Sequence, residues 1–157
     1  LLENTQIKIP ETNEEIKKCH EIREYVLKES FADDGLVLNH YDPTHPAHNH
    51  PNISLIYLHD GVVIGSVRMD KKFEYLNFKE NEFRLALFAI TEELQGKGFG
   101  AHFFAGIKSW CQQNAIDTVY TNARVKAHPF WKKMGFIDKV WDDKAVEENE
   151  IQMVLKI

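Results

Sequence analysis

Cysteine is scarce in this chain of 157 residues: there are two, Cys19 and Cys111, and they stand far apart. Both fall on predicted helices among apolar neighbours, which implies buried, reduced thiols and suits a cytoplasmic protein. Long apolar runs are missing as well. No stretch approaches the length needed to span a bilayer, so no membrane partner is expected. The first residues, Leu1-Leu2-Glu3-Asn4, have neither the basic nor the apolar region of a secretion signal. Nor is there a surplus of positive charge. Lys and Arg number 19 against 24 Asp and Glu, for a formal net charge of −5. A nucleic-acid partner, which would require a basic face, is therefore not expected. No repeat and no linker divides the sequence. What remains is ordinary for a globular protein, with 43% hydrophobic and 27% charged residues. Residues 1–157 read as one domain, long enough for a proper hydrophobic core.

Residues 6–9 read as a short strand ended by Pro10. Thr12 and Glu15 form a capping box, Thr-x-x-Glu, which starts a helix. Its buried stripe is Ile16, Cys19, Ile22 and Val26, and it ends near Ser30. Residues 31–52 keep no period and read as a long loop rich in histidine. Residues 53–58 and 62–69 are apolar strands. Asp60-Gly61 between them is a strong hairpin signal. A charged connection, 70–81, leads to a strand at 83–90. After a further helix comes a strand at 118–123. Pro129 then opens a short helix that Gly135 closes. Two strands end the chain, at about 136–142 and 150–157; the last turns Ile151, Met153, Leu155 and Ile157 inward. This order predicts an α+β fold: a mixed, mostly antiparallel central sheet of about seven strands with helices on both faces.

The most informative stretch is 83–100. An apolar strand, Phe83 to Ile90, runs through an acidic turn into Gln95-Gly96-Lys97-Gly98-Phe99-Gly100 and onto an amphipathic helix. Phe99, Phe103, Ile107, Trp110 and Cys111 share one face of that helix, and Asn114 is a plausible stop. Main-chain N–H groups and the positive end of the helix dipole then point beyond the strand's end, where a phosphate group is well placed. Three glycines at alternate positions allow close approach. A Walker A loop is excluded, because Lys97 has neither the spacing nor the following hydroxyl. Gly96, Gly98 and Ala101, with Asp117 downstream, fit a dinucleotide fingerprint. Position counts against that alternative, since such a loop normally follows the first strand of a repeated crossover fold.

The same segment resembles the nucleotide-binding motif of the GNAT superfamily of N-acetyltransferases, Gln/Arg-x-x-Gly-x-Gly/Ala, at Gln95, Gly98 and Gly100. Downstream, 127–136 resembles the family's second signature, Ala-x-x-Phe-Tyr-x-Lys-x-Gly-Phe. It matches at Ala127, Phe130, Lys133, Gly135 and Phe136. The resemblance implies acetyl-CoA as cosubstrate, bound where the strands at 83–90 and 118–123 splay apart, and no metal. It implies a pantetheine arm along Phe88, Ala89 and Ile90. The pyrophosphate would lie on the N–H groups of Gln95, Gly96, Lys97, Gly98, Phe99 and Gly100. Further contacts are implied from Asn122 and Arg124 and from Phe130, Trp131 and Lys133. The implied activity is direct transfer of an acetyl group to an amine of a small molecule or a protein, as a monomer or homodimer.

Trp131 departs from the family, which has Tyr there as proton donor to the departing thiolate. Indole N–H does not give up its proton at neutral pH. His128 is the first substitute, ahead of Tyr120; its alternative role is a surface residue at a helix start. For the base, Glu82 is preferred over Glu80, Glu92 and Glu93. Arg68 and Arg84 would orient an acidic group on the acceptor or serve as edge charges. His40, His45, His48 and His50 match no structural zinc spacing and have no cysteine nearby, so they are read as bordering the acceptor pocket. Two other functions stay open: an acyl-CoA-binding sensor without catalysis, and a dinucleotide-dependent oxidoreductase.

Overall fold

The computed structural model describes residues 3–33 and 41–157, and for 29–33 the backbone alone. Strand β1 (Thr5–Lys8) leads to helix α1 (Asn13–Asp33). The predicted capping box closes α1 in both directions: Glu15 N–H donates to Thr12 Oγ1, and Thr12 N–H donates to Glu15 Oε1, each at 3.1 Å. Strands β2 (Ile53–His59) and β3 (Val62–Asp70) form the hairpin. Asp60 and Gly61 both take positive φ, 51° and 78°, as a two-residue turn of this hand demands. The charged connection folds into a small ribbon of its own, β4 (Lys72–Phe73) with β5 (Leu76–Asn77). Then come β6 (Glu82–Ile90), helix α2 (Phe99–Gln113), β7 (Thr118–Arg124), helix α3 (His128–Lys133), β8 (Ile137–Asp138) and β9 (Glu150–Lys156).

Seven of these strands make one mixed sheet in the order β1-β2-β3-β6-β7-β9-β8, parallel at β6–β7 and antiparallel at the other pairings. The predicted strand at 136–142 shortens to Ile137–Asp138. Beyond it, Gln152 holds the chain with a side chain: its Oε1 accepts from the N–H groups of both Trp141 and Asp142.

The two faces of the sheet differ in kind. Side chains alternate along each strand. Leu55, Tyr57, Val67, Met69, Phe83 and Leu85 therefore join Phe103, Phe104 and Ile107 of α2 and Trp131 of α3 in one apolar core. The opposite face, under α1, is largely polar. Cys19 packs there with Ile56 and Leu58. Beside them Arg23 is fully buried, which the apolar stripe predicted for α1 did not include, and Ile16 of that stripe is exposed instead. Arg23 donates to Ser66 Oγ at 2.7 Å, to Ser54 Oγ at 3.0 Å and to the Val67 carbonyl at 2.7 Å. Both cysteines are free and buried, and burial pushes the Cys111 thiol up to about 12.

Asp70 ties β3 to β6 on this face. Its fully buried carboxylate sits 2.6 Å from Arg68 Nε and 2.6 Å from Arg84 Nη2. Replacing it with alanine leaves two buried guanidinium groups without their carboxylate. Asp70→Ala is expected to cost about 3–5 kcal/mol of unfolding free energy, read from urea denaturation.

Candidate functional site

The site begins where two neighbouring strands stop pairing. β6 and β7 are in register from Glu82↔Thr118 to Leu85↔Thr121 and no further. Side chains finish the pairing at that fork. Thr121 Oγ1 donates to the Leu85 carbonyl at 3.0 Å, and Trp141 Nε1 donates to the Thr121 carbonyl at 3.3 Å. Just beyond, β6 bulges. Its register against β3 slips between Ser66↔Ala89 and Arg68↔Ala86, so two residues of β6 face one of β3. Leu87 within the bulge has φ of 55°, a region costly for a residue with a Cβ. The bulge turns β6 away from β7, while β7 stays on β9 as far as Arg124↔Glu150. From Ala86 to Ile90 β6 is thus not paired with β7, and its edge on that side is open to a ligand's hydrogen bonds.

That edge leads to the glycine loop. A short 3-10 turn, Glu92–Leu94, carries the chain to Gln95, whose Nε2 reaches back to the Ile90 carbonyl at 3.0 Å. Gly96 and Gly98 take φ of 75° and 87°, and nothing lies within 4 Å of where a Cβ would stand on either. Gly98 is the N-cap of α2 and offers no capping side chain, so the first N–H groups of the helix face outward. Gly100 packs beside the Phe130 ring, where an added Cβ would stand in ordinary contact at 3.4 Å.

Two cavities follow the open edge. One, about 540 Å³, is lined by Phe88 to Ile90, Gln95, Gly96, Gly98, Gly100, Ala127, Phe130 and Lys133 among others. The second, about 220 Å³, lies beyond the bulge. It is bounded by Leu85 to Phe88, Asn122, Arg124, Trp131 and Glu150, with Val26 and Leu27 of α1 as one wall. Phe88 and Phe130 border both, their rings 5.8 Å apart.

Most residues expected to hold a cosubstrate therefore come together along one groove. Lys97 is exposed and borders neither cavity. The Phe99 side chain is buried in the core, edge-on to His59. Trp131 is 5% exposed, its ring edge-on to Phe88, Phe104, Phe130 and Phe136, so it builds the cleft's floor.

The expected acid and base lie elsewhere. Glu82 is at the closed end of the parallel pair, where its carboxylate accepts from Tyr120 Oη at 2.8 Å and from Lys79 N–H at 3.0 Å. Burial and that carboxylate push the Tyr120 hydroxyl up to about 12. His128 Nε2 lies 2.6 Å from Asp138 Oδ1, and neither cavity touches it. Asp117, the acid of the dinucleotide alternative, binds Asn81 and Thr118 at the closed end, far along the strand from the glycines. Arg68 and Arg84 are committed to Asp70. In the histidine loop, His40 lies outside the described residues. His45 Nδ1 accepts from Ala47 N–H, and His48 Nε2 donates to the Asp42 carbonyl. Burial, then the charges of Arg68 and Arg23, lower His48 to about 4. Among the described residues no three His, Cys, Asp or Glu side chains gather as a metal site.

A family model for the acetyltransferase (GNAT) family matches residues 11–136. The chain belongs to that family. No curated protein sequence matches it. Solved GNAT-like structures share its fold at low identity. Tetrahymena GCN5 is 16% identical with a TM-score of 0.72, covering 97% of this chain and 96% of that one. Ard1 from Thermoplasma volcanium is 19% identical with a TM-score of 0.65, covering 98% of each. The PaiA N-acetyltransferase from Thermoplasma acidophilum, solved in complex with coenzyme A, is 13% identical with a TM-score of 0.70; 98% of this chain and 99% of that one are covered.

Within this GNAT cleft one carboxylate stands out that the sequence did not reveal. Burial, then the nearby charge of Glu147, push Glu150 up to about 7 against the pull of Arg124 and Arg84. Nothing in the alternation of the last strand marks Glu150 as special; only the pairing of β9 with β7 brings it to the cavity. Its carboxyl has an ordinary value near 4.5 in the unfolded chain. Because the folded value is higher, the fold loses stability as pH rises from about 4.5 through about 7. Glu150→Gln is therefore expected to raise the melting temperature at pH 8. The difference from the parent should close below about pH 4.5, as followed by calorimetry across pH.

Proposed function

We propose that this protein transfers an acetyl group from acetyl-CoA to an amine. The observation that carries the reading is the unpaired edge of β6 running straight into an uncapped helix start. An extended amide-bearing arm pairs with such an edge as a strand would, and a diphosphate suits the N–H groups that follow. The empty space at the Gly96 and Gly98 Cβ positions agrees with close approach of a ligand to the main chain.

On this reading the 86–90 stretch holds the arm, and residues 95–100 hold the diphosphate. Phe130 and Lys133 flank the groove. A main-chain N–H in the bulge stabilises the negative charge that develops on the attacked carbonyl oxygen. Trp131 supplies no proton, and the sulfur can leave without one: a free thiol has a pKa of about 8.5, so its thiolate is a moderate leaving group at neutral pH. The 220 Å³ cavity beyond the bulge takes the acceptor. Its size suits a single amine-bearing arm better than a large ligand.

Calorimetric titration with acetyl-CoA should give saturable binding, and thiol release with a panel of amines should show turnover. Binding without thiol release for any amine would favour a sensor. Substituting valine at both Gly96 and Gly98 places β-branched residues at left-handed φ, a strain of about 1–2 kcal/mol at each. The double variant is expected to weaken acetyl-CoA binding by about tenfold or more. Unchanged affinity would argue against the loop as the diphosphate site.

A further inference from the structure

Two residues that line the smaller cavity each carry a buried acceptor atom with no donor. Asn122 lies on β7 and Glu150 on β9, on the α1 face of the sheet, two pairing positions apart: Asn122 is opposite Gln152, and Arg124 is opposite Glu150. Asn122 gives its Nδ2 to the Ala145 carbonyl at 3.3 Å, which turns its Oδ1 the other way. That Oδ1 and Glu150 Oε1 are buried and have no hydrogen-bond partner. Both residues line the cavity beyond the bulge. A buried oxygen without a donor is costly, and a ligand that brings N–H donors removes the cost.

We propose that Asn122 and Glu150 form the acceptor-amine subsite, and that Glu150 is the catalytic base. This rests on the acetyl-transfer reading above. The donors that complete the pair of oxygens are those of a primary ammonium group, which has three. Asn122 Oδ1 takes one and orients the nitrogen. Glu150 takes a second and removes that proton. The nitrogen lone pair so freed attacks the thioester carbonyl carbon, forming the C–N bond. The C–S bond then breaks, and its electron pair leaves on sulfur. One of the two remaining nitrogen protons passes to the thiolate, leaving a secondary amide and a thiol. Glu150 returns its proton to solvent.

The surrounding charges fit this task. Arg124, paired opposite Glu150, disfavours a second cation beside it and so lowers the ammonium's hold on its proton. Glu147 on the preceding turn, whose carbonyl accepts the Glu150 N–H at 3.2 Å, and Arg84 on β6 are the other charges that act on this carboxylate. A base with a value near neutrality takes a proton from an amine far better than one near 4.5. Glu82, held at the closed end of the strand pair, has no such access.

The test uses the whole protein, acetyl-CoA, and three probe amines: propylamine, spermidine and a short peptide with a free amino terminus. Glu150→Gln should bind acetyl-CoA within about twofold of the parent and lose about a hundredfold or more in turnover. The acidic limb of the parent's pH–rate profile, with its midpoint near 7, should vanish in that variant and persist in Glu150→Asp at a lower rate. Carbon-13 resonances of the glutamate carboxyls give a readout apart from turnover: one should titrate near 7 and shift when propylamine is added. Glu150→Gln that keeps the parent's rate and acidic limb would overturn the assignment of the base while leaving acetyl transfer standing. A parent that binds acetyl-CoA but acetylates none of the probes, with the Glu150 carbon unmoved by them, would overturn the subsite. A parent that does not bind acetyl-CoA would overturn both readings together.

Discussion

Main-chain hydrogen bonding between β6 and β7 governs this molecule, chiefly by where it stops. Two adjacent strands in a sheet ordinarily pair along their whole shared length, since an orphan N–H or C=O inside a fold is expensive. Here four positions pair and the rest do not. Three devices make the interruption tolerable. The Thr121 hydroxyl and the Trp141 indole cap the last two carbonyls at the fork. Arg23 donates to the Val67 carbonyl and to Ser66 Oγ, tying α1 to β3 opposite the bulge. Asp70 clamps β3 to β6 through Arg68 and Arg84 below the bulge, so the strand cannot drift back. The conformation of Leu87 costs on the order of 1–3 kcal/mol, and the surrounding contacts hold it in place.

The unlike faces of the sheet give the cleft its polarity. The face under α2 and α3 is dry and ring-rich, with Phe88, Phe103, Phe104, Phe130, Trp131 and Phe136 in mutual contact. It supports the glycine loop and gives the groove a rigid apolar wall. The face under α1 meets Arg23 of that helix and carries Asp70, Arg84, Thr118, Gln152 and, at its far end, Glu150. One end of the cleft thus presents N–H groups and a helix dipole, which suit an anion. The other presents unpaired oxygens, which suit a donor. The bulge stands between them.

Much of this was legible beforehand because it depends on local chemistry. The capping box at Thr12 and Glu15, the Asp60-Gly61 turn and the Gly135 cap at φ of 102° each follow from what one residue can do. So does the glycine loop opening α2. What escaped notice depends on register. Whether Glu82 or Glu150 meets the cavity is decided by which end of β6 leaves β7 and by how β9 lies on β7. A sequence pattern with a period of two cannot say which strand lies beside which. Arg23 was hidden for a related reason. A cation inside an apolar helical stripe reads as solvent-facing until the acceptors it meets on the sheet are known.

The placement of the proton-handling groups answers an asymmetry in the chemistry. An alkylammonium has a pKa near that of lysine, about 10.4, whereas a free thiol lies at about 8.5. At neutral pH the amine is therefore almost wholly protonated and inert as a nucleophile. The thiolate, by contrast, is only mildly basic when it departs. Removing a proton before attack is the harder demand, and supplying one afterwards is the lighter demand. Trp131, where the family resemblance would place the acid, packs the floor of the cleft and has no proton to give at neutral pH. On the proposed assignment, the Glu150 carboxylate raised by burial meets the harder demand. It does so from the polar face of the sheet, where the desolvation that lifts its pKa leaves the apolar wall of the groove intact.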